Sequence, residues 1–409
     1  MPYSDAQCLR AREDFPALSR SLDGKPLVFL DGPAGTQVPG PVIEAQNHAY
    51  RMFNTNTGGE FVTSRDLEEA IWRTRKTVAA FVGASEPASI SFGANMTTLA
   101  FSLSDAFSRL WGEGDEVAIT ALDHEANRGP WLQLQDRGVA IREIAIDRQG
   151  YFDPDDMRSK INERTRLVAI NASSNALGTV NDLSLARELS RKVGAWMLVD
   201  AVHYAPHIAL DVQAMDPDFL FCSAYKFYGP HVGILYTRPG LLNTLPTNRL
   251  CTQDSAAPYR IETGTLNHAA IVSIAAAIEY LASWGEGNNL REQLVDARGK
   301  IYAYEHELAA HYYQRVADVP GVTVWGPDFS AAPRSPTVSI TSGKISTDDA
   351  VKDLGTQGFC LWQGHFYAQR VVELLGLSES GGLIRMGVSM YNTRSEMDRL
   401  LAAIERLPA

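Results

Sequence analysis

Short apolar segments alternate with helix-like segments through the first two thirds of the chain. Seven of these segments have the length and apolar character of buried strands. The predicted strands cover residues 88–92, 116–120, 140–146, 166–171, 196–199, 219–222 and 232–236. A predicted helix at residues 65–82 precedes them, and the helices predicted between them include residues 95–110, 127–136 and 183–193. This alternation predicts an α/β fold with a mainly parallel seven-stranded sheet that is covered by helices.

The pattern changes near Gly264, where two longer helices and several shorter strands follow. A chain of 409 residues is long enough for about two domains. We therefore predict a large α/β domain over residues 23–265 and a smaller α+β domain over residues 266–409. Residues 1–22 are predicted to form an N-terminal arm that packs on the small domain.

Two polar residues stand at the carboxyl ends of two neighbouring predicted strands. Asp200 follows the strand 196–199, and Lys226 comes just past the strand 219–222. Ligands of open α/β sheets bind at this edge. A lysine can hold pyridoxal phosphate as a Schiff base, and a carboxylate can keep the pyridine nitrogen protonated so that the ring accepts electrons. A lone Asp or Lys is more often a loop cap or a solvated turn residue, but the pair at two strand ends favours a pyridoxal phosphate site.

A third part of this site is predicted at residues 91–97, which read as a strand, a turn of small residues and a helix start. Free backbone amides and the helix dipole make such a start suitable for an anion. A phosphate group there would accept hydrogen bonds from the amides of Asn95 and Met96 and from the Thr97 hydroxyl. A plain helix cap is the commoner structure for such a segment.

Composition excludes several classes of function. The net charge is −11, and no cluster of Lys and Arg is visible, so a nucleic-acid partner is not expected. No apolar stretch is long enough to span a membrane, and the first 15 residues lack an apolar signal core, which predicts a cytoplasmic protein without a membrane partner. The four cysteines lack the C-x-x-C spacing of metal sites, so no metal is expected.

The segments VDAVHYAPH and SAYKFYGP, which carry Asp200 and Lys226, resemble the cofactor region of class V aminotransferase-fold enzymes, above all the cysteine desulfurases. The resemblance extends over most of the chain and implies the pyridoxal phosphate (PLP) fold type I and a homodimer. In such enzymes a histidine at the position of His124 stacks on the cofactor ring and assists proton transfer. The resemblance also implies cofactor contacts from Asn175, His203, Ser223 and Tyr225.

Two further positions follow from the resemblance. Thr265 matches a segment that binds the phosphate of the neighbouring subunit's cofactor, which implies active sites shared between two chains. Arg385 matches the arginine that binds the substrate carboxylate, a task suited to a guanidinium because it donates two parallel hydrogen bonds.

The chain departs from the desulfurases where these carry a nucleophilic cysteine in a G-H-H-C-A loop. The matching residues are 364–368, and the cysteine position is occupied by Tyr367. Cys360 lies seven residues earlier, inside a predicted strand, where a structural thiol is expected. Tyr225 stands where desulfurases usually have histidine. An aromatic wall of the substrate site is predicted from Trp362, His365, Phe366 and Tyr367, and packing of the domain seam explains these aromatic residues equally well.

These features predict a PLP-dependent enzyme that acts on an amino acid. A lyase that cleaves a C–S or other β-substituent bond of a cysteine-derived substrate, without forming a persulfide, is the favoured reaction. An aminotransferase, an epimerase and a decarboxylation-coupled transaminase are the alternatives, and a non-catalytic scaffold is a remote one. Lys226, Asp200 and His124 are the predicted catalytic residues.

Overall fold

The computed structural model describes residues 2–330 and 333–407, which form a seven-stranded sheet, a four-stranded sheet and two two-stranded sheets, with helices packed around them. The strands are β1 (Ser21–Leu22), β2 (Lys25–Pro26), β3 (Val28–Phe29), β4 (Ile90–Gly93), β5 (Glu116–Thr120), β6 (Ala140–Ile144), β7 (Thr165–Asn171), β8 (Trp196–Asp200), β9 (Phe219–Ser223), β10 (Gly233–Thr237), β11 (Val322–Trp325), β12 (Thr337–Ser342), β13 (Phe359–Cys360), β14 (Trp362–Gly364) and β15 (Leu383–Gly387). The α-helices are α1 (Asp5–Glu13), α2 (Gly40–Phe53), α3 (Val62–Val82), α4 (Met96–Phe107), α5 (Gly129–Leu132), α6 (Pro154–Lys160), α7 (Ser184–Val193), α8 (Val212–Met215), α9 (His268–Ala282), α10 (Leu290–Val316), α11 (Thr347–Thr356), α12 (Gln369–Leu374) and α13 (Arg394–Glu405).

The larger sheet has seven strands in the order β4-β10-β9-β8-β7-β5-β6. All of its neighbouring pairs are parallel except those of β10, which runs antiparallel to both β4 and β9. Except for the edge strand β6, which is only partly buried, its strands are buried along nearly their whole length, as expected for a sheet covered on both faces. The predicted α/β fold with a mainly parallel seven-stranded sheet is therefore confirmed.

The second sheet is smaller and antiparallel, with the order β11-β12-β15-β14. It carries Arg385 on β15 and leads from β14 into the loop that contains Tyr367. The short strand β13 pairs in parallel with β3, so the beginning of the chain joins the C-terminal part of the fold.

One predicted helix is wrong in detail. Residues 127–136 do not form a single helix but three short pieces: a 3₁₀ turn that ends at Asn127, α5, and a second 3₁₀ turn from Gln133. Arg128 lies outside the helical region of backbone angles. Pro130 can occupy the first turn of the next helix, α5, but it has no N–H to donate to a preceding turn. The predicted strand 88–92 is likewise shifted, because residues 87–89 form a 3₁₀ turn before β4.

The N-terminal arm contacts the C-terminal part of the chain. The Tyr3 hydroxyl donates to the Met390 carbonyl at 2.9 Å, and Arg12 forms an ion pair with Glu396 at 2.9 Å. Helix α9, in contrast, packs mainly against α2 and α3 although it follows the predicted boundary at residue 265. The division into an arm, a large domain and a small domain remains a proposal that the arm contacts support.

Within the described residues, no helix combines the length and the apolar character that crossing a membrane would need.

Candidate active site

One cavity at the carboxyl edge of the large sheet brings together ten of the residues predicted from the sequence. Its lining includes Asn95, Met96, Thr97, His124, Asn175, Asp200, His203, Ser223, Tyr225 and Lys226. These residues lie far apart in the chain, but they follow strands β4, β5, β7, β8 and β9, whose carboxyl ends meet at one edge. The geometry is the one expected for ligand sites of open α/β sheets.

The start of α4 forms one end of this cavity. The Asn95 side chain caps the helix by accepting from the Thr98 amide at 2.9 Å. The next two amides, of Met96 and Thr97, belong to the first turn and have no acceptor within the helix. Gly233 of β10 lets the sheet approach this turn, because a Cβ atom there would lie 2.5 Å from the Met96 nitrogen. The helix start is thus held against the sheet with free donors for an anion.

Asp200 ends β8 and is only 6% exposed. Its Oδ1 atom accepts from the Val202 amide at 2.9 Å. Burial raises the pKa of Asp200 to about 6, against the opposing effects of that hydrogen bond and of Lys226. A buried carboxyl group of this kind gains most from a cationic partner, such as a protonated pyridine nitrogen.

Lys226 lies in the short turn after β9 and is 9% exposed. Its Nζ atom donates to the carbonyls of Pro33 at 2.5 Å and Ala34 at 2.9 Å. Burial and the neighbouring Arg385 lower the pKa of Lys226 to about 7, although Asp200 and Asp31 oppose this shift. A large fraction of the amine is therefore uncharged at neutral pH, as a nucleophilic lysine requires.

Two aromatic residues flank the reactive part of the cavity. The Tyr225 ring lies 4.9 Å from Lys226 Nζ and stacks on His231 with 4.6 Å between ring centroids. His124 accepts from the Ala126 amide through Nδ1 at 3.0 Å, which fixes its ring. Burial, together with Lys226 and Arg385, lowers the pKa of His124 to about 3, so the ring is neutral.

The loop of residues 364–368 lies beside His124 and Asn175 but is not part of the cavity lining, and Tyr367 is 67% exposed. The rings of Tyr367 and His124 lie 5.6 Å apart, and the Tyr367 carbonyl accepts from the Glu125 amide at 2.6 Å. The Phe366 carbonyl accepts from Asn175 Nδ2 at 2.8 Å. Phe366 and Tyr367 both have positive φ, of 52° and 58°, which is strained for residues of this size. These contacts hold the loop in one position.

Arg385 is buried on β15 beside this loop, with 3% exposure. Its Nη1 atom donates to the Asn175 carbonyl at 2.9 Å, and its Cζ atom lies 4.1 Å from the Phe366 ring centroid. Burial lowers the pKa of Arg385 to about 9, while Asp31 and Tyr225 act in the opposite direction. Burial has removed water from this guanidinium. A substrate carboxylate would offset that loss as a charged partner.

Three other predicted residues lie at or outside the margin. Trp362 pairs with Arg385 across β14 and β15, but 52% of it is exposed. His365 is exposed and accepts from the Tyr367 amide at 3.1 Å. Thr265 is not part of this cavity in its own chain and lines a separate surface groove instead.

Sequence reasoning missed several residues of the site. Asn171 lines the cavity and pairs with Asp200 across β7 and β8, so its place at a strand end was an available signal. Ser173 also lines the cavity and bonds Ser335 at 2.7 Å. Asp31 lies near Lys226 and Arg385, and burial raises the pKa of its carboxyl group to about 6.

The residues of this cavity fit PLP. Three buried polar atoms around it have no hydrogen-bond partner among the described residues, namely Asn171 Oδ1, Asn175 Oδ1 and His203 Nδ1. Buried polar groups in native proteins are normally paired, so these atoms indicate a polar ligand. The α4 start suits a phosphate, Asp200 suits the pyridine nitrogen, and the Lys226 amine suits the aldehyde.

Comparisons with known proteins agree with this fit. The Aminotransferase class-V family matches residues 28–400. Cysteine desulfurases of Cronobacter sakazakii and Salmonella typhimurium are each 32% identical to this chain, with 97% of both proteins covered. A cysteine desulfurase of Thermococcus onnurineus superposes with a TM-score of 0.87 at 25% identity, covering 98% of both chains. A cysteine desulfurase of Escherichia coli gives a TM-score of 0.84 at 26% identity, again with 98% of both chains covered.

The structural neighbours share PLP fold type I, and the matched family uses PLP. This chain is an enzyme that uses the same cofactor and acts on an amino acid. It belongs to the class V aminotransferase family.

Proposed function

We propose that this enzyme is a lyase that cleaves the C–S bond of a cysteine-derived amino acid without passing the sulfur to a cysteine of its own. The similarity to proteins named cysteine desulfurases supports cleavage of a C–S bond. The observation that carries the second half of the proposal is Tyr367, which the resemblance of residues 364–368 to the G-H-H-C-A loop assigns to the position of the desulfurases' nucleophilic cysteine. A phenol cannot take up sulfur as a persulfide.

The contacts of the loop of residues 364–368 also support the proposal that no residue of this loop accepts the sulfur. A sulfur-accepting residue has to approach the substrate and then deliver its sulfur elsewhere. Here the backbone of Phe366 is bonded to Asn175, the backbone of Tyr367 to Glu125, and the Phe366 ring contacts Arg385. The loop therefore serves as a fixed wall against the substrate.

The four cysteines offer no substitute thiol in the cavity lining. Cys8 and Cys222 are fully buried, and burial raises the pKa of both thiols. Cys360 pairs with Phe29 in the small parallel β13–β3 ladder, and burial raises the pKa of its thiol to about 11. Cys251 is exposed but does not line the cavity. A thiol with a raised pKa is a poor nucleophile at neutral pH.

The side chains of the cavity divide the proposed reaction among them. PLP, when bound, supplies an electron-accepting ring that weakens the bonds at the substrate α-carbon. Arg385 binds the substrate carboxylate, and Lys226 removes the α-proton. The C–S bond then breaks, the sulfur leaves as a thiol after gaining a proton, and water releases pyruvate and ammonia. His124 and Tyr367 line the side on which an S-substituent would lie.

We also propose that two copies of this chain share their active sites. Thr265 lies in a surface groove together with the exposed side chains of Trp72 and Tyr259. Phe61 and Val62, at the start of α3, are 55% and 62% exposed. Large apolar side chains that are exposed in this way favour a protein partner. If a second copy packed on this surface, Thr265 could bind the cofactor phosphate in the active site of that second copy.

Capture of PLP by the apoprotein should accelerate as pH rises through about 7 and then level off. The uncharged amine is the nucleophile, and the lowered pKa of Lys226 means that it loses its proton in this range. Stopped-flow absorbance of the protein-bound cofactor measures the rate, with Lys226→Arg as the control that should give no such signal. A midpoint close to the pKa of ordinary lysine, about 10.4, would contradict the assignment.

Incubation with S-benzyl-cysteine should release benzyl thiol, pyruvate and ammonia in equal amounts without an added keto acid. Free cysteine should leave no persulfide on the protein, and Cys360→Ser should turn over at the rate of the parent. Product analysis and mass spectrometry of the intact protein measure these outcomes. Dependence on a keto acid would identify an aminotransferase, inversion of the substrate an epimerase, and release of carbon dioxide a decarboxylation. A persulfide on Cys360 would overturn the proposal that this enzyme forms no persulfide.

Sedimentation of the parent protein should give the mass of two chains, and Val62→Glu should shift it to the mass of one chain. The same variant should bind PLP more weakly, because Thr265 would no longer reach the neighbouring site. Leu9→Glu is the matched control, since Leu9 is 58% exposed on α1 and is expected to leave the dimer intact. A single-chain mass for the parent, or unchanged cofactor binding in a monomeric variant, would refute shared sites.

A further inference from the structure

A buried line of polar side chains extends from the cavity into the protein. His203, which lines the cavity, contacts His207 with 5.7 Å between ring centroids and an angle of 75° between the rings. His207 Nδ1 lies 2.7 Å from Oε2 of Glu305 on α10. His203 and His207 are 4% exposed, and Glu305 is fully buried. Burying a carboxylate costs free energy, and the hydrogen bond between Glu305 and His207 offsets part of this cost.

Helix α10 holds this line in place through two residues on one face. Arg298 and Glu305 are seven residues apart, which places them two turns apart on the same side of the helix. Arg298 donates to the carbonyls of Ala205 and Pro206, and Glu305 binds His207. Residues 205–207, in the segment that follows Asp200, are therefore each held by a hydrogen bond to α10. His203 lies just before them.

The hydrogen bonds of His203 define which of its nitrogens remains available. Nε2 lies 3.1 Å from the Thr337 hydroxyl, and Nδ1 has no partner among the described residues. That hydroxyl makes no other bond within the described part of the chain and can donate its hydrogen to Nε2, which is the arrangement that an anionic ligand oxygen beside Nδ1 would favour. Nδ1 then carries the ring hydrogen. Burial lowers the pKa of His203 well below its usual value, which favours the neutral ring.

We propose that Glu305 and His207 are positioning residues that hold His203 as a fixed hydrogen-bond donor, with its hydrogen on Nδ1, to an anionic oxygen of bound PLP. The His207 ring, packed edge-on against His203, opposes the half-turn of the His203 ring that would exchange Nδ1 with Cδ2 and Nε2 with Cε1, and Glu305 fixes the His207 ring in turn. This inference depends on the cofactor alone and holds whichever bond of the substrate is broken.

A double-mutant cycle on PLP affinity tests the proposal. Glu305→Gln keeps the size of the side chain but removes the carboxylate, and it should weaken PLP binding about tenfold, the effect of disturbing one hydrogen bond to a charged group. His203→Gln should also weaken binding. In the His203→Gln background, Glu305→Gln should add no further loss, because Glu305 acts through His203. Fluorescence or absorbance titration of the apoproteins with PLP gives the dissociation constants.

Two controls separate positioning from general stability. Glu307→Gln lies on the same helix with 72% of its side chain exposed, and it should bind PLP like the parent. If Glu305→Gln fails to fold, His207→Gln takes its place in the same cycle. Nitrogen-15 spectra of the histidines, with His203→Gln as the assignment control, should show the His203 hydrogen on Nδ1. Equal losses in both backgrounds, unchanged affinity in Glu305→Gln, or a hydrogen on Nε2 would each overturn the proposal.

Discussion

The site depends on the removal of two opposite charges from water at the edge of one sheet. Asp200 and Lys226 are both buried, and burial moves the pKa of each group toward the uncharged form: that of Asp200 rises to about 6 and that of Lys226 falls to about 7. In water neither group would have the required properties. The fold makes the carboxyl group a strong partner for a cation and leaves the amine available as a nucleophile.

The rest of the structure supports this pair from several directions. The parallel strands place their carboxyl ends together, Gly233 admits the α4 start to the cavity edge, and the 31–36 segment supplies the carbonyls that bind Lys226. The small sheet adds Arg385 and the loop of Phe366 and Tyr367. Function thus depends on contact between the two sheets, because the proposed substrate contacts and the cofactor contacts lie on different ones.

The pattern of the chain was sufficient to predict the elements that set this geometry. Buried strands are short apolar runs with polar residues at their ends, so the seven strands and the places of Asp200 and Lys226 could be recognised. Asn171 and Asp31 obey the same rule and could have been found by applying it to every strand. The broken helix at 127–136 was missed because its apolar spacing is regular, while the backbone at Arg128 and Pro130 is not.

Other features depend on tertiary contacts that leave no local signal. Thr337 begins a strand of the small sheet, and Glu305 lies in the middle of a long helix, yet both contact the segment that follows Asp200. Phe366 reaches Asn175 and Arg385 because a strained loop turns it inward. Thr337 and Glu305 are selected by the shape of the folded site, so a single sequence does not distinguish them from ordinary core positions, whereas for Phe366 the sequence predicted a place in the substrate wall but not these contacts.

Chemical trapping of the cofactor tests the central pair most directly. PLP-loaded protein is reduced with borohydride and digested, and the peptides are mapped by mass spectrometry. We expect the reduced cofactor to be attached to the peptide that contains Lys226 and to no other, and we expect Asp200→Ala to reduce its amount markedly at limiting PLP. Attachment to a different lysine, or an undiminished yield in Asp200→Ala, would contradict the assignment of this cavity.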